Sequence, residues 1–113
     1  MSTAVSNVTV IDSAKLFLFV TGNDNLSIVD FYTDWCGPCK RIAPVMEEMA
    51  SKNSDVKFYK INAEYPDPSI QKVVKACDVT SYPTFCFFKS SKCIKKVEGA
   101  NAAAIEQAIK ELK

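Results

Sequence analysis

Histidine is missing from all 113 residues of the chain. That removes the commonest general base and the commonest nitrogen ligand for a metal. A basic block is missing too: net charge is +1 and Lys95 and Lys96 stand only as a pair, so nucleic acid is not an expected partner. The most apolar local run, LFLFV at 16–20, is far too short to cross a bilayer, and no membrane association is expected. The opening MSTAVSNVTV lacks the basic start and apolar stretch of a secretory signal, and the Arg-rich character of a transit peptide. No internal repeat, low-complexity tract or linker is visible.

What the chain does contain is 48% hydrophobic and 24% charged residues, the composition of an ordinary soluble protein. Its length suits one domain, 1–113, able to bury a core without disulfides or metal. Five cysteines are present, Cys36, Cys39, Cys77, Cys86 and Cys93. The number is odd and a single pair is closely spaced, which does not resemble a secreted disulfide framework. A reducing compartment, the cytosol, fits better.

Periodicity predicts the order βαβαβαββα, an α/β layered domain. A short strand at 8–11 leads to a helix over 14–22, capped by Asp12 or Ser13. LSIVDFYT (26–33) is apolar at consecutive positions, as in a central strand covered on both faces. The segment 38–52 has helical spacing, with Ile42, Val45, Met46 and Met49 on one stripe and a kink expected at Pro44. Further strands are expected at 56–64, 82–88 and 93–99, the last two joined by the turn KSSK, and a short helix at 68–78. The closing helix starts at Asn101 and turns Ile105, Ala108, Ile109 and Leu112 inward.

Between the second strand and the helix after it lies DWCGPCK, residues 34–40. As a staple the cysteine pair is weak, because closing a loop of about four residues stabilises by only roughly 2 kcal/mol. As a structural zinc site it supplies two of four ligands, and only a cluster shared across two chains would complete it. No metal and no cofactor is expected. A redox role explains the neighbours best. Cys36 stands where the strand ends and the helix begins, and there unpaired N–H groups and the helix dipole stabilise a thiolate. Pro38 suits the first turn, where its missing N–H costs nothing. Cys39, one turn along, points to the same side, and its helical position should bury it more deeply. Cys36 is therefore read as the attacking thiol and Cys39 as the resolving thiol.

Asp30 lies among apolar residues in IVDFY, six positions before Cys36. Either it turns to solvent at a strand end, or it is a buried carboxyl of raised pKa behind the pair. In the second case it is the best available acceptor for the proton of Cys39. Lys60, on the adjacent strand, is either its charge partner or a solvated surface lysine.

VDFYTDWCGPCK and YPTFCFF resemble the active-site and cis-proline segments of the thioredoxin family, and similarity covers essentially the whole chain. Asp30, Trp35, Cys36, Gly37, Pro38, Cys39 and Lys40 match the first segment, Pro44 the helix-kink proline, Pro83 the cis-proline and Gly99 a glycine flanking the active site. The resemblance implies a thioredoxin fold, a central five-stranded mixed sheet with helices on both sides. It implies general protein-disulfide reduction by Cys36 and Cys39, with disulfide-containing proteins as targets and a thioredoxin reductase restoring the dithiol. Trp35, Gly37, Pro38, Tyr82, Pro83 and Gly99 would border the substrate, and the protein would act as a monomer in the cytoplasm. Tyr82 departs from the aliphatic residue more usual before the cis-proline. KSSK lacks the usual turn glycine. Cys77, Cys86 and Cys93 fall outside the motif, as small hydrophobes or free thiols, with Cys93 favoured for any regulatory or intermolecular disulfide because it lies near a turn.

Overall fold

The structure is a computed structural model that describes residues 6–113. Residues 1–5 of the opening segment weighed above as a targeting signal lie outside the described residues. The elements are β1 (Val8–Val10), α1 (Ala14–Thr21), β2 (Ser27–Tyr32), α2 (Gly37–Lys52), β3 (Lys57–Asn62), α3 (Pro68–Ala76), β4 (Thr84–Lys89), β5 (Lys92–Glu98) and α4 (Ala102–Leu112). The predicted order holds. The main boundary correction is at β4, which begins at Thr84 and not at Tyr82. Pro83 has no N–H to give a ladder, and the cis Tyr82–Pro83 bond precedes the strand.

Helix starts follow local chemistry. Ser13, not Asp12, caps α1 by accepting from the Leu16 N–H at 3.1 Å. Asp67 does the same for Ser69 at 2.8 Å in α3, and Asn101 for Ala104 at 3.0 Å in α4. Each cap satisfies a donor that the first turn cannot pair internally. Helix α2 runs on through Pro44, whose missing N–H leaves the Lys40 carbonyl without its intrahelical donor.

The five strands form one sheet in the order β1-β3-β2-β4-β5. Strands β1, β3 and β2 are parallel, β4 runs antiparallel to β2, and β5 runs antiparallel to β4. Central β2 is buried on both faces, so its consecutive apolar residues divide between two cores. Ile28, with Phe85 and Phe87 of β4, packs against Ile42 and Met46 of α2 and Ile105 and Ile109 of α4. Val29 and Phe31, with Cys86 and Phe88, pack against Phe17 of α1 and Ile70 and Val73 of α3. Leu112, expected inward, is only half-buried at the end of α4.

The β4–β5 hairpin turns on Ser90 and Ser91, at φ 50° and 70°. Two left-handed residues make the mirror-image turn that matches strand twist, normally a place for glycine or asparagine. Here outside bonds hold it. The Ser90 N–H donates to the Asn23 carbonyl and the Ser91 N–H to the Thr21 carbonyl, both at 2.8 Å. The Ser90 hydroxyl adds a bond to Asp24 Oδ1 at 2.8 Å.

Candidate active site

Strand β2 delivers the chain to the cysteine pair. Tyr32 ends the strand, Cys36 caps α2, and Gly37 and Pro38 occupy its first turn. Proline there gives up an N–H that had no partner to lose. Cys36 and Cys39 are joined as a disulfide, with Cα atoms 5.3 Å apart. The Cys36 Sγ accepts from the Cys39 N–H at 3.1 Å. A sulfur in the N-cap position thus does what a serine or aspartate oxygen usually does, and a thiolate there would gain from the same donor and the helix dipole.

One expectation fails. Cys39 is not buried more deeply than Cys36: the two are 6% and 5% exposed. Whole-residue exposure does not separate them. They differ in hydrogen bonding and in neighbours.

Asp30 is buried at 6% exposure, on the α2 side of β2. The strand-end alternative is therefore excluded. Burial pushes its carboxyl up from 3.8 to about 7, and the Lys60 charge holds back part of that rise. Its Oδ1 has no hydrogen-bond partner. Lys60 stands opposite it in register on β3 and is half-buried, with its ammonium over the Tyr32 ring, 5.8 Å from the centroid. A cavity of about 160 Å³ is lined by Asp30, Cys39, Lys60, Tyr32 and Lys40 among others. It brings the carboxyl and the second cysteine to one space, large enough for water.

The sequence-selected border residues gather at the same end of the sheet. Trp35 is 67% exposed, its ring edge-on to Tyr82 with centroids 6.3 Å apart. Gly37 is exposed and Pro38 half-buried. Thr84 pairs with Phe31, so buried Pro83 lies just beyond, level with the chain leaving β2. The Gly99 N–H donates to the Pro83 carbonyl at 2.8 Å, and Gly99 takes φ 91°, which a side chain would strain.

Sequence reading missed Glu64. Its Oε1 accepts from the Trp35 indole N–H at 2.9 Å, and its own N–H donates to Asn62 Oδ1 at 2.9 Å. No local pattern could have found it, since the partners are 29 residues apart and meet only because β3 runs beside β2.

Two thiols held this way can exchange the bond between them for bonds to other sulfurs, passing two electrons. On this sheet topology, that makes the chain a dithiol–disulfide redox carrier with a thioredoxin fold. The chain belongs to the thioredoxin family, whose profile, described as Thioredoxin, matches residues 7–111. It is 40% identical over 109 residues to Thioredoxin-2 of Saccharomyces cerevisiae, covering 96% of each chain. A thioredoxin-like protein of Acanthamoeba polyphaga mimivirus is 50% identical over 86 residues, which cover 76% of this chain and 61% of that protein. Among solved structures, the thioredoxin of Malassezia sympodialis superposes with a TM-score of 0.86 at 32% identity, over 99% of this chain and 96% of that one.

Proposed function

We propose that the protein is a general reductant of protein disulfides, acting as a single-domain monomer in the cytoplasm and recycled by a thioredoxin reductase. The observation that carries this reading is the shared cavity of Asp30 and Cys39 behind a Cys36 sulfur that receives a helix N–H. Cys36, as thiolate, attacks one sulfur of a target disulfide. A Cys36–target bond forms, the target bond breaks, and the displaced sulfur leaves as a thiolate and takes a proton. Asp30 then accepts the Cys39 proton, directly or through water in the cavity. Cys39 attacks the Cys36 sulfur, forms the Cys36–Cys39 bond and releases the second target sulfur. Two electrons pass to the target, and the reductase supplies two more that reopen the Cys36–Cys39 bond.

A carboxyl with a pKa near 7 suits that transfer, since a base works best when its pKa lies near the working pH. Its proton exchange is coupled to the two thiols, so apparent values belong to the group. Trp35, Gly37, Pro38, Tyr82, Pro83 and Gly99 form the border on which an extended target segment would lie, pairing with the backbone N–H and C=O of Tyr82. Lys60 tempers Asp30. The cytoplasmic placement rests on three thiols left outside the pair, Cys77, Cys86 and Cys93, which suit a reducing compartment. Thioredoxin-3, mitochondrial, of Saccharomyces cerevisiae is also similar, at 42% identity over 91 residues. No helix among the described residues is long and apolar enough to cross a membrane.

The test is reduction of insulin, once with dithiothreitol and once with a thioredoxin reductase as electron source. Catalysed precipitation with both is expected. A rate no greater than dithiothreitol alone would reject reductase activity, and activity with dithiothreitol only would reject the recycling partner.

A further inference from the structure

The turn after β3 carries Glu64, and it is held from a helix that takes no part in the cysteine pair. Strand β3 ends at Asn62, opposite Tyr32 of β2, and the Ala63 N–H still donates to the Tyr32 carbonyl at 2.8 Å. The chain then turns back on Asn62. The Asn62 carbonyl accepts from the Tyr65 N–H at 3.0 Å, and its side-chain oxygen accepts from the Glu64 N–H at 2.9 Å. Two carbonyls of the turn, those of Ala63 and Tyr65, accept from Gln71 Nε2, each at 2.9 Å. A carboxamide nitrogen carries two hydrogens, enough for both at once. Both partners are carbonyls, which only accept, so the nitrogen end of Gln71 must face the turn.

Gln71 can hold the turn because its own helix is fixed. Helix α3 buries Ile70 and Val73 in the core shared with Phe17 of α1. The Ser69 hydroxyl accepts from the Ala14 N–H at 3.1 Å, which ties the first turn of α3 to the start of α1. The turn has little else to fix it, since Glu64, Tyr65 and Pro66 are all exposed. A segment with so little buried surface is ordinarily among the first parts of a fold to open. The two bonds from Gln71 stand in for the missing packing.

Glu64 lies between the two clasped carbonyls and passes the constraint on. Its Oε1 accepts from the Trp35 indole N–H at 2.9 Å. The indole is 67% exposed and meets Tyr82 only edge-on. Trp35 directly precedes Cys36 and forms one wall of the substrate border.

We propose that Gln71 is a positioning residue for target binding, which presets the Trp35 wall of the border by clasping the 63–65 turn. It touches neither sulfur. Its effect runs through Glu64 to the indole, so that the wall is ordered before a target arrives and docking does not have to order it. This role rests on the reading of the site as a protein-disulfide reductase. It concerns the binding of protein targets and leaves the thiol chemistry unchanged.

Two substitutions separate the clasp from mere occupancy of the position. Gln71→Met keeps the length of the side chain and loses both donors. Gln71→Lys keeps a donor for two carbonyls, in the way that the Lys96 ammonium donates to the carbonyls of Cys77 and Asp78 at 2.8 and 3.1 Å. Both are compared with wild type, Glu64→Ala and Gln71→Met/Glu64→Ala. Fluorescence anisotropy of the single tryptophan in the oxidised protein reads the indole without any turnover. Reduction of insulin, with dithiothreitol as electron source, gives KM and kcat. Hydroxyethyl disulfide serves as a small neutral substrate that does not span the border.

Gln71→Met should lower the anisotropy and raise KM for insulin about two- to threefold, with kcat and the hydroxyethyl disulfide rate unchanged. Gln71→Lys should restore both readings. Adding Gln71→Met to Glu64→Ala should change nothing further, because the two residues act along one path. An unmoved indole, an unmoved KM, equal slowing of the small disulfide, no rescue by Gln71→Lys, or additive effects in the double variant would overturn the proposal. A wild type no faster on insulin than dithiothreitol alone would reject the reductase reading and this role with it. An active wild type with any of the preceding results rejects this role alone.

Discussion

Asp30 and Lys60 face each other in register on parallel strands, yet the ammonium lies over the Tyr32 ring and forms no ion pair with the carboxyl within 4.0 Å among the described residues. Asp30 is thus buried and only partly compensated. Its charged form is costly, so its pKa is raised to about 7 in the folded protein, against 3.8 when exposed.

The sign follows directly. Below pH 4 the carboxyl is protonated folded and unfolded, and there is no penalty. As pH rises from about 4 to about 7 the unfolded chain ionises first, and stability falls; above 7 the loss is constant. The full shift corresponds to about 4 kcal/mol. Asp30→Asn removes it but leaves an amide with unmet hydrogen bonds, so a net gain of about 2–3 kcal/mol at pH 8 is expected, turning to a loss of about 1–2 kcal/mol toward pH 4. Urea unfolding of the oxidised proteins across that range reads it out, and a pH-independent difference would contradict the account.

The same substitution should slow the second chemical step more than the first. Stopped-flow measurement should find release of the mixed disulfide about tenfold or more slower at pH 7, with the initial attack by Cys36 changed far less. Equal slowing of both would mean that Asp30 acts on the fold and not on the Cys39 proton.

Cys39→Ser should stall at the mixed disulfide, with target protein bound through Cys36, because a hydroxyl cannot attack the bond. Cys36→Ser should capture almost nothing and lose disulfide reduction. Non-reducing gels of each variant after exposure to cell extract distinguish the roles. Comparable capture by both would show that the two thiols are interchangeable.

Gly99→Ala introduces a Cβ with nothing within 4 Å, yet at φ 91°. Strain without a clash predicts a loss of about 1–2 kcal/mol in urea unfolding. A neutral result would mean that the backbone relaxes, at the expense of the bond from the Gly99 N–H to Pro83.

Glu64→Ala frees the Trp35 indole from its only hydrogen-bond partner among the described residues. Lower fluorescence anisotropy of the single tryptophan is expected, with about two- to fivefold weaker use of protein disulfides, since an exposed charge-assisted bond contributes about 1 kcal/mol. Unchanged anisotropy would show that contact with Tyr82 alone orients the ring.

Local sequence determined much of this protein. Consecutive apolar residues in β2 require cover on two faces, so a central strand could be read from LSIVDFYT, while the helices on both sides followed from the family resemblance. The cysteine pair at the strand–helix junction carried its own chemistry, because capping and the helix dipole act over one turn. Those signals lie within a few residues of the groups they affect. What sequence could not decide was every relation made across strands. Asp30 had two readings until the packing of β2 buried it. Glu64 reached Trp35 only through the neighbouring strand. The near-equal burial of Cys36 and Cys39 does not follow from helical position. Two serines could replace glycine in the hairpin because the end of α1 and the loop after it supply outside carbonyls. Which face Cys93 takes was decided by one extra residue in β5, since strand side chains alternate and a single insertion reverses them, a change visible only once the partner strand is in place.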